Sequence, residues 1–402
     1  MVEENGQSMR RSYLLWLFVA IVVCASFSFL FNSLLSRDEE EEDWLPRNNQ
    51  QAFIESLGCD QVDENSLPDV CFRVKAEAMI AECNAATLES FAGSRLRSAN
   101  EDAATIAKDD TAIYFLHIEK CGGSSMWNFI RKNEGVKAIN LRFPWRLGGF
   151  DLAFNDSHSL SPRELVRARD IMLPARVIIG HYVHGIHEIT AERPYMYVTM
   201  MREPLDRLVS QYYFWRKLYN TTYGDDLVDF LTSTTKPQAA HKDNLMTRVL
   251  CGREAYLTPR GKLTYRHMYC AMQHLLNYSM VLFTDRYDAS IQVMRTTFLW
   301  PYATQVVDRP TLNNGKHKNE NKKQPREVLE AAKPLVKYDN YLYRLGDCMW
   351  HLQKQRYRHL LPDPSSGVPS DKELAALLKE VEVPKKLVIQ PPPKQAKPLI
   401  KK

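Results

Sequence analysis

A chain of 402 residues, 45% of them hydrophobic, can bury a sizeable core and has room for one large domain or two small ones with appendages. The net charge of +5 is an average over two unlike regions: residues 36–108 hold 16 Asp and Glu against 7 Lys and Arg, and residues 109–362 hold 25 against 36. The basic balance therefore belongs to the central region alone, and a purely acidic or uniformly basic chain is excluded.

In chain order, residues 1–12 form a short polar tail, read as cytoplasmic. No charged residue interrupts the chain between Arg11 and Arg37, and Tyr13–Leu35 is apolar enough to span ~30 Å of hydrocarbon as a transmembrane signal anchor. Arg10 and Arg11 precede it and the acidic run Asp38–Asp43 follows, so the positive-inside rule places the rest of the chain across the membrane. A cleaved signal peptide is the competing reading, with Cys24-Ala25-Ser26 as small residues after the apolar stretch. Residues 36–108 read as an acidic stem with one helix around Phe72–Phe91, where Val74, Met79 and Ile80 give a partial apolar stripe. Residues 363–402, with Pro391-Pro392-Pro393 and scattered lysines, read as a flexible basic, proline-rich tail.

Residues 109–362 alternate between two periodicities. Ala112–Ile118, Ala175–Gly180, Tyr195–Met201 and Met280–Thr284 are strand-like runs. Ser161-Pro162-Arg163-Glu164 is a capping box with proline at the first helical position, opening a helix toward Met172. Pro204 begins another helix, with Leu205, Leu208, Val209 and Tyr212 on one face, and a further helix starts at Asp288. Strands alternating with helices predict an α/β fold with a largely parallel central sheet and flanking helices. Ligands of such sheets bind at the carboxyl ends of strands, where His117, His181 and Arg202 fall.

After the first of these strands comes Lys120-Cys121-Gly122-Gly123-Ser124-Ser125, a glycine pair opening a helix. Glycines let the backbone approach an anion and present successive N–H groups to it. Lysine precedes the glycines instead of following them, which separates the loop from the G-x-x-x-x-G-K-[ST] pattern of nucleoside triphosphatases. Alone, the pair is also compatible with a tight strand-to-helix turn. Arg202 at the end of a strand and Ser210, two helical turns on, supply a guanidinium and a hydroxyl for a second phosphate. Arg207 fits either that role or an ion pair.

These residues carry a resemblance. Lys120–Ser125 looks like the 5′-phosphosulfate loop, and Arg202–Ser210 like the 3′-phosphate motif, of the Golgi membrane-bound carbohydrate sulfotransferases, and of heparan sulfate 6-O-sulfotransferases and their relatives in particular. Gly180-His181-Tyr182 and Asn244-Leu245-Met246-Thr247-Arg248 resemble further segments of that family, so the likeness covers roughly residues 112–300. It implies a P-loop-kinase-like sulfotransferase fold and metal-free transfer of a sulfonate from PAPS (3′-phosphoadenylyl sulfate) to a carbohydrate hydroxyl. The resemblance places Lys120 at the bridging oxygen of the phosphosulfate. It puts Cys121, Gly122, Gly123, Ser124 and Ser125 around the 5′-phosphate, Arg202 and Ser210 on the 3′-phosphate, and His181 as the catalytic base. Glu119 and Cys121 depart from the usual pattern, which often has an uncharged residue and a threonine there.

A base for the acceptor's proton and a cation for the leaving phosphate are what the chemistry needs. Lys120 fits the second role and His181 the first, with Glu119, His117, His184 and Glu188 as competitors. The basic central region suits an acidic glycan acceptor. Arg131, Lys132, Lys137, Arg142 and Arg146, and then Arg260, Lys262 and Arg266, are two groups that could meet it. A lumenal location argues against nucleic acid. Setting aside Cys24 and Cys121, six of the eight cysteines remain, enough for three disulfides of unread pairing. The sequons at Asn155, Asn220 and Asn277 fit a glycosylated lumenal domain of a Golgi single-pass protein. A type II glycosyltransferase shares this layout, but no Asp-x-Asp motif occurs in the sequence. A tyrosylprotein sulfotransferase or a non-catalytic glycan-binding protein would fit the same compartment.

Overall fold

A computed structural model describes residues 67–87, 111–141, 160–190, 193–219, 226–233, 239–298, 300 and 324–356. The predicted membrane span, the tail from residue 363 and most of the predicted stem lie outside them. Among the described residues no helix is long and apolar enough to cross a membrane. The chain divides into two units, Met1–Leu67 and Pro68–Lys402, and the elements below belong to the second.

In chain order they are α1 (Asp69–Ala85), β1 (Ala112–Leu116), α2 (Gly123–Glu134), β2 (Ala138–Asn140), α3 (Pro162–Met172), β3 (Val177–Gly180), β4 (Tyr195–Met201) and α4 (Pro204–Tyr219). There follow α5 (Leu227–Thr232), α6 (Ala239–Lys242), α7 (Leu245–Cys251), α8 (Arg253–Leu257), α9 (Tyr265–Leu276), β5 (Met280–Phe283), α10 (Tyr287–Thr297) and α11 (Arg326–Arg356).

The five strands form one parallel sheet in the order β2-β3-β1-β4-β5. The sequences AIYFL, VIIG and MVLF of β1, β3 and β5 are unbroken apolar runs, and every residue in them is buried, because helices cover both faces of the sheet. The parallel α/β architecture is thus the one the alternating periodicities predict. In the centre, Leu116 of β1 lies opposite Gly180 of β3 on one side and Thr199 of β4 on the other. Chain order reverses across β1, so the carboxyl edge at β1 and β4 is the switch point at which sheets of this kind bind ligands.

Local chemistry sets the helix ends. Ser161 caps α3 as expected: its hydroxyl accepts from the Glu164 N–H, and the Glu164 carboxylate accepts from the Ser161 N–H at 2.9 Å. Helix α4 buries Leu208, Tyr212 and Trp215 against Phe230 and Leu231 of α5 and Val328, Ala332, Leu335 and Val336 of α11.

One boundary needs correction. The helix assigned to the stem is α1, which ends at Ala85 and not near Phe91. Phe72, Ala76, Met79, Ile80 and Cys83 form a buried stripe, Cys83 is disulfide-bonded to Cys348 of α11, and Glu77 pairs with Arg344 at 3.0 Å. Part of the stretch read by composition as an acidic stem therefore belongs to the fold, with α1 starting some forty residues before position 109. A second disulfide, Cys251–Cys270, ties α7 to α9, and Cys71 is also disulfide-bonded.

Helix α11 runs for 31 residues despite Pro334 inside it. Proline removes a backbone donor and crowds the preceding turn. The adjoining turn is served from outside by Asn244, the residue before α7, held at φ 50°. Its carboxamide oxygen accepts from the N–H groups of Tyr338 at 2.7 Å and Asp339 at 3.2 Å. Its amide donates to the Pro334 carbonyl at 3.1 Å, and its own N–H donates to the Leu335 carbonyl at 2.7 Å. Asp339 reciprocates at the start of α7, accepting from the N–H groups of Met246 and Thr247 and from the Thr247 hydroxyl. Asn244→Ala should cost about 2–4 kcal/mol, because buried backbone groups lose their partner. The measurement is a lowered urea midpoint with an unchanged slope; an unchanged midpoint would contradict this role.

Candidate active site

The site is built where β1 ends. The His117 N–H still donates to the Gly180 carbonyl at 2.9 Å, continuing the β1–β3 ladder, and then the chain must turn into α2. It does so through two left-handed residues, Lys120 at φ 67° and Gly122 at φ 80°. Glycine adopts that conformation freely, and lysine only when its surroundings hold it there. Cys121 between them points inward: its thiol is fully buried in the core, and its N–H donates to the Ile118 carbonyl at 3.2 Å. Burial pushes the thiol up to about 12, with Arg207 and Arg202 partly opposing. Cys121 thus seats the loop, with its side chain in the core and its N–H bonded to the Ile118 carbonyl.

At the helix start the N–H groups of Ser125 and Met126 donate to the Gly122 carbonyl at 3.1 Å. Those of Gly122, Gly123 and Ser124 have no acceptor among the described residues, the condition an anion at a helix N-terminus requires. Gly123 is glycine for a second reason. A β-carbon there would lie 1.9 Å from His117 Cδ2 and 2.0 Å from its Nε2, so the imidazole packs directly on the loop backbone.

The second motif converges on the first. Arg202 follows β4, and its Nη1 donates to the Lys120 carbonyl at 3.3 Å. The Lys120 ammonium lies 4.0 Å from the centre of the Phe214 ring on α4. Phe214 is one helical turn beyond Ser210, so lysine and hydroxyl are presented on the same face of α4. Glu203 caps that helix, accepting from the N–H groups of Leu205 at 3.2 Å and Asp206 at 2.6 Å. Arg207 is not a ligand candidate: it is fully buried, and its guanidinium donates to Gln211 Oε1 at 2.6 Å and to the His241 carbonyl at 3.2 Å.

His181 stands beside the loop. Its ring stacks on His117 at 4.3 Å between centroids and 28° between planes, and its Nδ1 lies 2.9 Å from the His117 carbonyl oxygen. A carbonyl only accepts, so Nδ1 carries the proton of this bond and the neutral ring keeps its lone pair on Nε2. That is the tautomer a general base needs, and its neighbour His117 touches Gly123. The competitors are placed differently. Glu119 is held by His241 and Gln211. Burial alone would raise its carboxyl, but the hydrogen bond from His241 and the nearby Arg207 guanidinium outweigh it and hold the group well below the usual carboxylate range, making it a poor base. His184 stacks on His274 at 3.9 Å, and burial, then His274 and His187, push it down to about 2. Glu188 is exposed.

Some segments with a predicted role turn out to be structural. Of the motif Asn244–Arg248, Asn244 and Thr247 join α7 to α11, and Arg248 is ion-paired with Asp243. Arg260 donates to the Leu231 and Ser233 carbonyls. Arg131 and Lys132 are exposed at the end of α2, while Arg142 and Arg146 lie outside the described residues. Among the described residues, no group of three or more His, Cys, Asp and Glu side chains could hold a metal ion. His241, Gln211 and Tyr256 surround the loop, and sequence reasoning missed all three. Gln211 had one available signal, its place directly after Ser210.

Residues 103–343 match the sulfotransferase family. The chain belongs to that family. The match spans all five strands, the glycine loop, His181, Arg202 and Ser210, and excludes α1 and the end of α11. A search of curated proteins gives no match. Sulfotransferases of this family generally use PAPS as sulfate donor, and the loop N–H groups that have no acceptor among the described residues fit a phosphate of such a molecule. Gly123→Ala should therefore displace His117 and lower affinity for the product nucleotide PAP at least about tenfold, with a loss of stability of about 1–3 kcal/mol from overpacking. Calorimetric titration and thermal unfolding measure the two effects; unchanged PAP affinity would separate this packing from donor binding.

Proposed function

We propose that this sulfotransferase moves the sulfonate group of PAPS to a hydroxyl of an acidic glycan, in the Golgi lumen and anchored by the apolar segment Tyr13–Leu35. The observation that carries the donor assignment is the Arg202 contact with the Lys120 carbonyl, which brings the residues suited to a 5′-phosphosulfate and a 3′-phosphate to one site. PAPS supplies the activated sulfonate. The N–H groups of Gly122, Gly123 and Ser124, with Ser125, hold the 5′-phosphate. Arg202 and Ser210 hold the 3′-phosphate. Nε2 of His181 takes the proton of the acceptor hydroxyl as its oxygen bonds to sulfur, and the Lys120 ammonium meets the charge that gathers on the departing phosphate.

Several features support the compartment and acceptor. Disulfides such as Cys83–Cys348 and Cys251–Cys270 persist in oxidising compartments. Asn277 of one sequon is exposed at the end of α9; the other two sequons lie outside the described residues. The excess of Lys and Arg over residues 109–362 favours a uronate-bearing or sulfated acceptor. Family membership favours sulfonate transfer over the glycosyl transfer that the membrane layout also allows.

Full-length protein assayed with labelled PAPS against a panel of glycans and tyrosine peptides should label an acidic glycan; labelling of peptides alone would replace the acceptor class. Lys120→Ala should reduce transfer by at least about a hundredfold without lowering the melting temperature. His181→Ala should cut turnover by about 10²–10⁴-fold while PAP affinity stays within a few-fold. Equal losses of turnover and PAP affinity would make His181 a donor-binding or structural residue instead.

A further inference from the structure

Around the loop runs a closed ring of hydrogen bonds that none of the proposed donor or acceptor contacts uses. Glu119 Oε2 accepts from Gln211 Nε2 at 2.9 Å, and Gln211 Oε1 accepts from Arg207 Nη1 at 2.6 Å. Arg207 Nη2 donates to the His241 carbonyl at 3.2 Å, and His241 Nδ1 returns to Glu119 Oε2 at 2.8 Å. An ionised carboxylate only accepts, so Nδ1 of His241 carries the proton. Its Nε2 lies 2.9 Å from the Tyr256 hydroxyl on the other side of the ring. Arg207 is fully buried, His241 is nearly so, and Glu119 retains 22% of its side-chain exposure.

Two members of this ring are neighbours in sequence of the residues assigned to the donor. Glu119 precedes Lys120, and Gln211 follows Ser210. Lys120 occupies a backbone conformation that lysine does not choose by itself, so something adjacent must impose it. Cys121, sunk in the core, anchors one side of it, and the Arg202 bond to its carbonyl holds the middle. On the other side stands Glu119, pinned from α4 and from α6.

We propose that Glu119, Gln211 and His241 are positioning residues that fix the backbone of Lys120 and lock the glycine loop to the helix carrying Ser210. This rests on the reading of Lys120 and Ser210 as donor ligands. The carboxylate at 119, a departure from the uncharged residue common in the resembling sulfotransferases, then has a partner set of its own and no role as a base.

A double-mutant cycle on PAP affinity tests it, using full-length protein with Glu119→Ala, Lys120→Ala and the pair. Glu119→Ala should weaken PAP binding about tenfold in the wild-type background and less than about twofold once Lys120 is gone, because its effect travels through the lysine. Glu119→Gln, which keeps an accepting oxygen, should recover most of the loss, and Gln211→Ala should match Glu119→Ala in direction; these two also serve if Glu119→Ala does not fold. Unchanged affinity in the single variants, or a loss from Glu119→Ala that is the same with and without Lys120, would overturn the proposal while leaving the donor site in place. Absence of PAP binding by the wild-type protein would overturn both.

Discussion

Between Leu116 and Gly123 the chain must leave a buried strand and turn into a helix, and three successive N–H groups at the turn have no acceptor among the described residues. A turn that short cannot be made from ordinary helical and extended residues, and it is closed by Gly122 and Lys120 in the left-handed region. Everything nearby reads as a consequence. His117 fills the space that a side chain at 123 would need, Cys121 fills the core beneath, and Arg202 reaches from the next strand to hold the Lys120 carbonyl. The constraint also reaches His181, because the same His117 that packs on the loop provides the carbonyl that sets its tautomer.

The interior behind this loop is unusually polar for an α/β core. Arg207, Lys242, Asp243, Asn244, Thr247, Arg248 and Asp339 are all buried. Charges taken out of water are tolerable only when paired or hydrogen-bonded, and most of these groups are: Asp243 with Arg248 and the Gly261 N–H, Lys242 with the carbonyls of Phe230 and Ser233, Asp339 with the start of α7, while Nε of Arg207 has no partner among the described residues. Such groups contribute little net stability compared with apolar packing, but they tolerate few other arrangements. They fix α4, α6, α7 and α11 relative to one another, and so they fix the face on which Ser210 and Phe214 stand.

Much of this was legible in the sequence where the physics is local. The strand runs, the capping box at Ser161 and the helix after Arg202 follow from periodicity and end chemistry within a few residues, and the glycine pair marks the turn from β1 into α2. What was not legible is long-range or disguised. Helix α1 reads as stem because its charged face dominates composition, and its disulfide partner lies 265 residues away. Strand β2 has three residues, too few for a periodic signal, and Pro334 conceals a long helix whose broken turn is served by Asn244. The meeting of Glu119 with His241 spans 122 residues and leaves no trace in either neighbourhood.

The central claim is that one site recognises two phosphates of one donor. It is tested most directly by comparing the affinities of PAP and adenosine 5′-phosphate for the wild-type protein and for Ser210→Ala. The account predicts that the wild type prefers PAP by at least about tenfold, or ~1.4 kcal/mol, and that Ser210→Ala erases most of this preference while binding adenosine 5′-phosphate as before. Equal affinity of the two nucleotides for the wild type, or an equal loss of both in the variant, would contradict it.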